Sequence, residues 1–507
     1  MNYVLGLDNG GTTTKAAIYG MDGTEFGSAS TETRMLVPYP DFAERDMEEM
    51  WQANCSVIRE VLEKTVVPAQ EIACVAVCGH GKGLYLWGKD NRPVRNGIVS
   101  ADNRAWAYPE RWKRDGTEKA VFQKSFQHIL PSQPVSLLAW LKDHEPDVLP
   151  KVQWIFECKD YVRFRLTGEA YGEISDYSGA NFVNLNMGTY DEQLLALFGL
   201  KDCMDKLPIL RQSTDLCGYI TPEVASLTGL RAGTPVAGGA FDIDACAIAV
   251  GLIDERHICM IAGTWSINEY LSKSPVTDGS VMMNSFFCIP GYYLIEECSP
   301  TSAGNLEWFI RTLLPELTDI LKENQSSIYP FLDAYVQDTQ AERQSPIFLP
   351  FLMASNVHPN AKGSFVGISN YHKREHIVRS IFEGVAFSHR YHLDHLLRSR
   401  LTPPQAIRLA GGVARSKVWV QMFADVMQLP VEVVQVNETG TLGCAMIGAT
   451  AIGRYSSLLE AARSMCRVAP AVMPNSTLIP IYSQRYALYL EIINALDGVW
   501  EHFQHLR

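Results

Sequence analysis

The sequence predicts an α/β fold in two related domains, and three features of its 507 residues carry that expectation. The chain opens with apolar residues 3–7, a link rich in glycine and threonine, and a second apolar run at 16–19. That is the pattern of two buried strands joined by a tight turn. The pattern returns half a chain later at 258–271, where Gly263-Thr264-Trp265-Ser266 separates two apolar runs. Finally, short apolar runs ending in polar residues alternate with helically spaced segments, in a chain longer than the roughly 250–300 residues one core supports. A diverged internal duplication explains the echo: two domains, each offering a phosphate-facing hairpin to a cleft between them.

In the first hairpin, Asp8-Asn9-Gly10-Gly11-Thr12-Thr13-Thr14-Lys15 holds one carboxylate, two glycines, three hydroxyls and one cation. Adjacent glycines let the backbone turn tightly and approach a ligand. Backbone N–H groups, the Thr hydroxyls and Lys15 then form a cradle for phosphate oxygens. Asp8, at a strand end, is placed to hold Mg²⁺ through water. A polar glycine-rich turn with no ligand is the competing reading of the hairpin taken alone.

Residues 46–65 show helical spacing, with Asp46 as N-cap and acids in the first turn. Residues 72–78 read as a buried strand ending in Gly79-His80-Gly81-Lys82-Gly83, and 84–87 as the strand after it. Residues 98–104 again read as a strand with a polar end, Asp102-Asn103-Arg104. Strand tips of this kind converge on one cleft. Residues 134–175 look mostly helical, interrupted at Pro146 and Pro150, and 175–179 look like a loop. A helix is expected soon after Gly238-Gly239-Ala240-Phe241-Asp242. Farther on, 377–396 is an amphipathic helix. Residues 407–416 read as a strand, a Gly411-Gly412 turn and a helix start, a geometry suited to an anion or nucleotide. Glu438 begins a further helix.

An apolar fraction of 47% and a charged fraction of 20% are ordinary for a globular soluble protein. The formal charge of −12 opposes a role on nucleic acid. The 12 cysteines show no zinc-ligand spacing and fit a reducing compartment. No secretory signal is visible and no uncharged run is long enough to cross a membrane, so a cytoplasmic protein is expected.

Asp242 is the sharpest candidate for chemistry. A carboxylate in a glycine-rich, apolar setting suits a general base that accepts the proton of an attacking hydroxyl in phosphoryl transfer. A helix N-cap is an equal alternative at this stage, and Asp244 is a rival base. His80 and Lys82 suit hydrogen bonding to a polyol, against the plainer reading of an exposed loop. For Asp102 the plainer reading is a salt bridge to Arg104. No Walker A loop, protein-kinase signature, dinucleotide fingerprint, GxSxG elbow or HExxH motif is present.

Taken together, these motifs resemble the FGGY carbohydrate kinases over roughly residues 3–455. That resemblance implies two actin/hexokinase-like (ribonuclease-H-like) ATPase domains from a duplicated unit, with a cleft between them. Asp8-Asn9-Gly10-Gly11-Thr12-Thr13-Thr14-Lys15 is similar to the family's phosphate hairpin, with Gly11 where Thr is commoner. Gly239-Ala240-Phe241-Asp242-Ile243 is similar to the catalytic-base segment, which puts the base at Asp242. Ile243 stands where a polar residue is usual. The resemblance further implies Gly263 and Thr264 at the phosphates, Gly412 and Ser416 beside adenosine, and a nucleotide-side loop at Ala303 to Glu307. It marks Gly79-His80-Gly81-Lys82-Gly83 as the sugar segment, where Lys82 in place of His argues against a plain D-xylulokinase.

Within the family, the strings Ala43-Glu44-Arg45-Asp46-Met47, Gly81-Lys82-Gly83-Leu84 and Glu438-Thr439-Gly440 are most similar to bacterial L-xylulokinases. The expectation is an ATP- and Mg²⁺-dependent kinase for L-xylulose, with Asp242 as base and His80, Gly81, Lys82 and Asp102 holding the sugar. Asp8, Gly10, Gly11, Thr12, Thr13, Lys15, Gly263, Thr264, Ala303, Glu307, Gly412 and Ser416 are expected around the nucleotide, with Asp8 as the metal-side residue. Residues 1–246 would form the sugar-binding domain and 247–507 the nucleotide domain. Alternatives are D-ribulose, D-xylulose, 3-keto-L-gulonate or glycerol as substrate, and, from another class, a non-enzymatic actin-like ATP-binding protein or a sugar sensor. Sugar and ATP are the expected partners, with no nucleic acid or membrane; homodimers are common in the family.

Overall fold

Both faces of the first strand are covered, which is why its sequence lacks polar alternation: Leu5 and Leu7 meet one helical layer, Val4 and Gly6 another. The computed structural model describes residues 2–339, 341, 345–355, 357–358 and 360–506. Strand β1 (Tyr3–Asn9) pairs antiparallel with β2 (Thr13–Gly20), and β2 with β3 (Glu25–Glu32). Helix α1 (Met47–Lys64) is capped as expected, the Asp46 carboxylate accepting the amides of Glu48 and Glu49. Its Met50, Trp51, Val57 and Ile58 share a core with Leu5, Leu7, Ala16 and Ile18. Strand β4 (Ile72–Gly79), buried at every residue, runs parallel to β1.

Helices α2 (Cys158–Thr167) and α3 (Ile174–Gly179) follow, then β5 (Leu216–Tyr219), β6 (Pro235–Ala237), β7 (Ala240–Phe241) and α4 (Asp242–Ala249). Next come β8 (His257–Ala262), β9 (Ser266–Ser272), α5 (Gly304–Leu313), α6 (Tyr329–Asp338) and α7 (Arg374–Arg398). The last elements used here are β10 (Ala406–Ala410), α8 (Lys417–Met427), β11 (Val431–Val433) and α9 (Thr439–Ala451).

The chain divides into two compact units. The first comprises Met1–Ile253, Leu271–Ile295 and Val436–Arg467. Its main sheet has the order β5-β6-β4-β1-β2-β3, with β7 added at the end of β4. Helix α1 covers one face and α9, arriving from late in the sequence, covers the other. A Cβ at Gly6 would land on the Thr441 carbonyl, so this approach of α9 to β1 requires glycine.

The second unit comprises Asp254–Tyr270, Glu296–Gln435 and Val468–Arg507. Its strands repeat the opening arrangement: β8 pairs antiparallel with β9 and parallel with β10, which pairs parallel with β11. The echo seen in the sequence is thus an echo of topology.

Three local expectations fail. Residues 134–175 are not a helical block: strand Val152–Phe156 interrupts it and pairs antiparallel with Tyr85–Gly88. Residues 175–179 belong to α3, not a loop; every residue of α3 is buried, and the Glu173 carboxylate caps it by accepting the Ser175 amide. Ser, Asp and Gly favour turns locally, and burial overrides them. The strand expected over 98–104 shrinks to Gly97–Ile98, because Asp102 and Arg104 bond each other and draw the chain into a turn.

Candidate active site

At the tip of the first hairpin the backbone acceptors are taken and two donors are left over. Gly10 N–H donates to the Thr13 carbonyl at 3.1 Å, and the Thr12 carbonyl accepts from Thr33 N–H at 2.9 Å. The exposed amides of Gly11 and Thr12 have no acceptor among the described residues. Two free backbone donors beside the hydroxyls of Thr12 and Thr13 make an anion-binding concavity of the nest type. Lys15 sits directly across from Asp8 in the strand register. Its ammonium donates to the Glu438 carboxylate at 2.6 Å, at the start of α9. Burial works against that ammonium, but Glu438 and Asp8 outweigh it and hold the Lys15 pKa above its usual value.

Three parallel strands bring the acidic residues together. In register, Asp8 of β1 lies beside Cys78 of β4, which lies beside Ala240 of β7. Asp242 therefore emerges where β1, β4 and β7 all end, the edge at which α/β sheets bind ligands. Gly239 makes the approach possible: it holds a φ of +82°, and a Cβ there would land on the Val77 carbonyl. Asp242 is the first residue of α4, not its cap; Phe241 occupies the cap position, without a side-chain bond. The N-cap alternative is thereby excluded. Loss of solvation, then the nearby carboxylates of Asp8 and Asp176, push the Asp242 pKa well above 3.8, while Lys82 pulls it down. Asp244 is fully buried, and its carboxylate accepts the Cys288 amide at 2.8 Å, so it lacks the access a base needs.

The sugar-side candidates divide. Lys82 holds a φ of +62°, and its ammonium lies 5.5 Å from the centre of the Phe241 ring, next to Asp242. Gly81 lies against the same ring, which a Cβ there would strike. His80 is buried and its Nε2 is 2.8 Å from the Tyr85 hydroxyl; burial and then Arg45 lower its pKa to about 3, so it is neutral. Asp102 makes the salt bridge to Arg104: its carboxylate accepts from Arg104 at 2.8–3.0 Å and from the Ala43 amide at 2.7 Å. Arg104 continues the network to Glu44 at 2.7 Å.

Sequence reasoning passed over the acids behind this loop. Asp176 of α3 is buried and paired with Lys159 at 2.9 Å, and Lys159 also holds Asp160 at 2.8 Å. Burial pushes the Asp176 carboxyl up to about 7 in spite of Lys159. Glu157, just before α2, is fully buried, and neither carboxylate oxygen has a hydrogen-bond partner among the described residues. The lysine-and-acid string Glu157-Cys158-Lys159-Asp160 was the available signal.

In the second unit the parallel neighbours β8 and β10 bring two turns side by side, with Ile261 opposite Ala410. Gly263 and Thr264 form the tip of one, and Gly411-Gly412 begins the other. Thr264 and Gly412 are exposed, and space beside Gly412 is open. Ala303 caps α5, whose first residue Gly304 stands against Thr264. Glu307 of α5 accepts the Tyr329 hydroxyl at 2.5 Å. Ser416 caps α8 by accepting the Trp419 amide at 3.1 Å, and donates to Asp333 of α6 at 2.7 Å. The expected nucleotide-side residues Gly263, Thr264, Ala303, Glu307, Gly412 and Ser416 thus lie at strand ends and helix starts of one unit.

Among the described residues no group of three or more His, Cys, Asp or Glu side chains is arranged to hold a metal. Asp8 and Asp242 nevertheless repel each other's charge. One or two carboxylates beside a phosphate cradle suit Mg²⁺, which keeps most of its waters and takes its other ligands from phosphate.

A two-unit α/β fold with glycine-threonine hairpins at strand ends defines an ATP-handling class of enzyme. Residues 3–249 match the N-terminal domain, and 258–452 the C-terminal domain, of the FGGY family of carbohydrate kinases. The chain belongs to that family and is a sugar kinase. It is 36% identical over 498 residues to "L-xylulose/3-keto-L-gulonate kinase" of Escherichia coli (strain K12), covering 98% of this chain and 97% of that one. It is 34% identical to "Probable L-xylulose kinase" of Pasteurella multocida (strain Pm70), covering 98% and 100%. The crystal structure of ligand-bound xylulose kinase from Lactobacillus acidophilus superposes with a TM-score of 0.88 at 25% identity, covering 99% of this chain and 100% of that one. No helix among the described residues is long and apolar enough to cross a membrane.

Proposed function

We propose that this kinase phosphorylates a ketopentose, L-xylulose first, at its terminal hydroxyl to give the 5-phosphate. The observation that carries the reading is Asp242: a carboxylate with a raised pKa at the ends of β1, β4 and β7, inside α4 rather than at its cap position, beside Lys82 and Asp8. The names of the relatives quoted above supply the sugar. In its ionised form Asp242 accepts the proton of the terminal hydroxyl. That oxygen forms the new bond to the γ-phosphorus as the bond to the β–γ bridging oxygen breaks, and ADP leaves. Lys82 and Gly81 orient the sugar, with neutral His80 behind them.

The free amides of Gly11 and Thr12, with Gly10, Thr13 and Lys15, receive phosphate oxygens. Gly263 and Thr264 receive them in the second unit, and Gly412, Ser416 and the Ala303 to Glu307 turn take the adenosine. Asp8 would hold Mg²⁺ through water, and the ion when bound neutralises charge on the phosphates. Asp102, held by Arg104 and the Ala43 amide, joins Lys82 and Gly81 in holding the sugar. Residues 1–246 are the sugar-binding part and 247–507 the nucleotide part. The twelve free cysteines fit a cytoplasmic enzyme, and a homodimer is the assembly we expect.

The test is ADP release with a panel of L-xylulose, 3-keto-L-gulonate, D-ribulose, D-xylulose and glycerol, run on the wild type and on Asp242→Asn. L-xylulose should give the highest kcat/KM, and Asp242→Asn should lose at least ~10²-fold, the low end for a general base. Near-normal turnover by Asp242→Asn removes the base assignment, and preference for another sugar removes L-xylulose.

A further inference from the structure

Arg45 is 1% exposed and lies under the tip of the first hairpin. Its Nη1 donates to the Gly10 carbonyl at 3.2 Å and its Nη2 to the Gly11 carbonyl. The other contact of Nη1 is the Met50 sulfur at 4.0 Å, and Nε has no partner. No carboxylate lies within ion-pair distance of this guanidinium among the described residues, whereas buried Lys159, Arg104 and Arg163 each have one. A buried charge without a counter-charge is costly. Two neutral carbonyls recover only part of that cost.

The carbonyls that Arg45 holds are those that would otherwise point at a bound anion. With the Gly10 and Gly11 carbonyls on Arg45 and the Thr12 carbonyl on Thr33, all three carbonyls of the tip are engaged, while the Gly11 and Thr12 amides have no acceptor among the described residues. A full positive charge sits directly behind those donors. Arginine suits the task because its planar fork reaches two adjacent carbonyls at once and never loses its proton. Lysine offers a point charge without the fork.

We infer that Arg45 is a positioning residue for the terminal phosphates of ATP: it fixes the amide-outward form of the hairpin, and the incoming phosphate is its missing counter-charge. The inference rests on the reading of this hairpin as the phosphate cradle. It predicts an effect graded by phosphate number, because AMP has no terminal phosphates for the cradle to hold. Preorganised donors of this kind act without reorganising when charge arrives.

The experiment measures ATP and sugar KM, kcat, and calorimetric binding of ADP and AMP for the wild type, Arg45→Gln, Arg45→Lys and Lys15→Ala, with melting curves for each. Arg45→Gln should raise ATP KM about 10-fold or more, the low end for a hydrogen bond to a charged group, and weaken ADP comparably. Sugar KM and AMP affinity should stay within about 2-fold, and Arg45→Lys should recover part of the loss. An ATP KM within 2-fold of wild type in a folded Arg45→Gln protein overturns the inference. So does a loss shared equally by AMP and sugar, which marks a merely structural role. Should Arg45→Gln not fold, Arg45→Lys decides alone: a selective rise in ATP KM supports the inference and an unchanged value refutes it. If neither Lys15→Ala nor any Arg45 variant changes ATP or ADP binding, the cradle reading fails as a whole; if only Lys15→Ala does, only Arg45 is wrong.

Discussion

The Lys15 ammonium and the Glu438 carboxylate, 423 positions apart in sequence, meet at 2.6 Å and join the first hairpin to the start of α9. Tyr19 reinforces the junction, its hydroxyl donating to the Glu438 carbonyl at 3.2 Å and lying 2.9 Å from the Thr441 hydroxyl. The side chains of the ion pair are 32% and 25% exposed, so the pair contributes about 0–1 kcal/mol to stability. It is better suited to parking Lys15 until a phosphate replaces the carboxylate.

Opposite effects on ATP are therefore expected from its two halves. Lys15→Ala removes a phosphate contact and should raise ATP KM by about 10-fold. Glu438→Gln frees the ammonium and removes a negative charge near the phosphates, so ATP KM should fall or hold. Steady-state kinetics at fixed ionic strength check both, and a rise of equal size in the two variants would refute the parking role.

Asp242 should cost stability at neutral pH. Its folded pKa is raised, so between 3.8 and that raised value the unfolded chain releases a proton that the folded chain keeps. Wild-type stability relative to Asp242→Asn is then intact at pH 3.8 and below, and declines as pH rises toward the folded pKa. Asp242→Asn should match wild type in denaturant midpoint near pH 4 and exceed it at pH 7. A variant less stable than wild type at pH 7 would show that the carboxylate is net stabilising after all.

Helix α9 meets α4 through glycine. A Cβ at Gly443 would come within 2.6 Å of the Ala245 carbonyl carbon, and one at Gly440 within 2.6 Å of an Asp8 carboxylate oxygen. Alanine favours a helix interior over glycine by about 1 kcal/mol, but overpacking costs about 1–3 kcal/mol. Gly443→Ala should therefore lower the denaturation midpoint despite its better helix propensity, whereas Gly440→Ala should disturb Asp8 and reduce kcat with a smaller loss of stability. A stabilised Gly443→Ala protein would mean that the two helices separate easily.

Local pattern reached the parts of the fold whose burial is continuous along the chain. The hairpins around Gly10 and Gly263, the fully buried β4 and the capped α1 need only apolar runs and one Asp46 carboxylate to be recognised. Pattern failed where a distant partner decides the structure. Val152–Phe156 is a strand because Tyr85–Gly88 pairs with it, and α3 is helical because burial overrides its turn-forming residues. Among the candidate site residues, Asp8, Lys15 and Asp242 stand out in the sequence by their glycine neighbours. Arg45 and Asp176 did not, because what distinguishes them is the absence or presence of a partner in space. Asp102 is bonded to Arg104 beside it, which the sequence suggested, and to the Ala43 amide, which it did not.

Glu157 tests how those buried acids are held. Its folded pKa is raised well above 4.5, by burial first and then by Asp176, which favours the neutral carboxylic acid in the folded protein. Glutamine has nearly the same shape and no charge to lose. From pH 4.5 upward the unfolded wild type ionises this residue while the folded protein keeps it protonated, so the wild type loses stability that Glu157→Gln retains. The two proteins should have equal denaturant midpoints near pH 4, with the variant gaining as pH rises toward the folded pKa. Because Glu157 lies within electrostatic reach of Lys82, the variant also reports on the sugar loop. With the shape kept and only the ionisable group removed, sugar KM at pH 7 should change by less than about 2-fold. A variant that is less stable at pH 8, or that loses sugar affinity, would mean that Glu157 is ionised and serves as the counter-charge of Lys82.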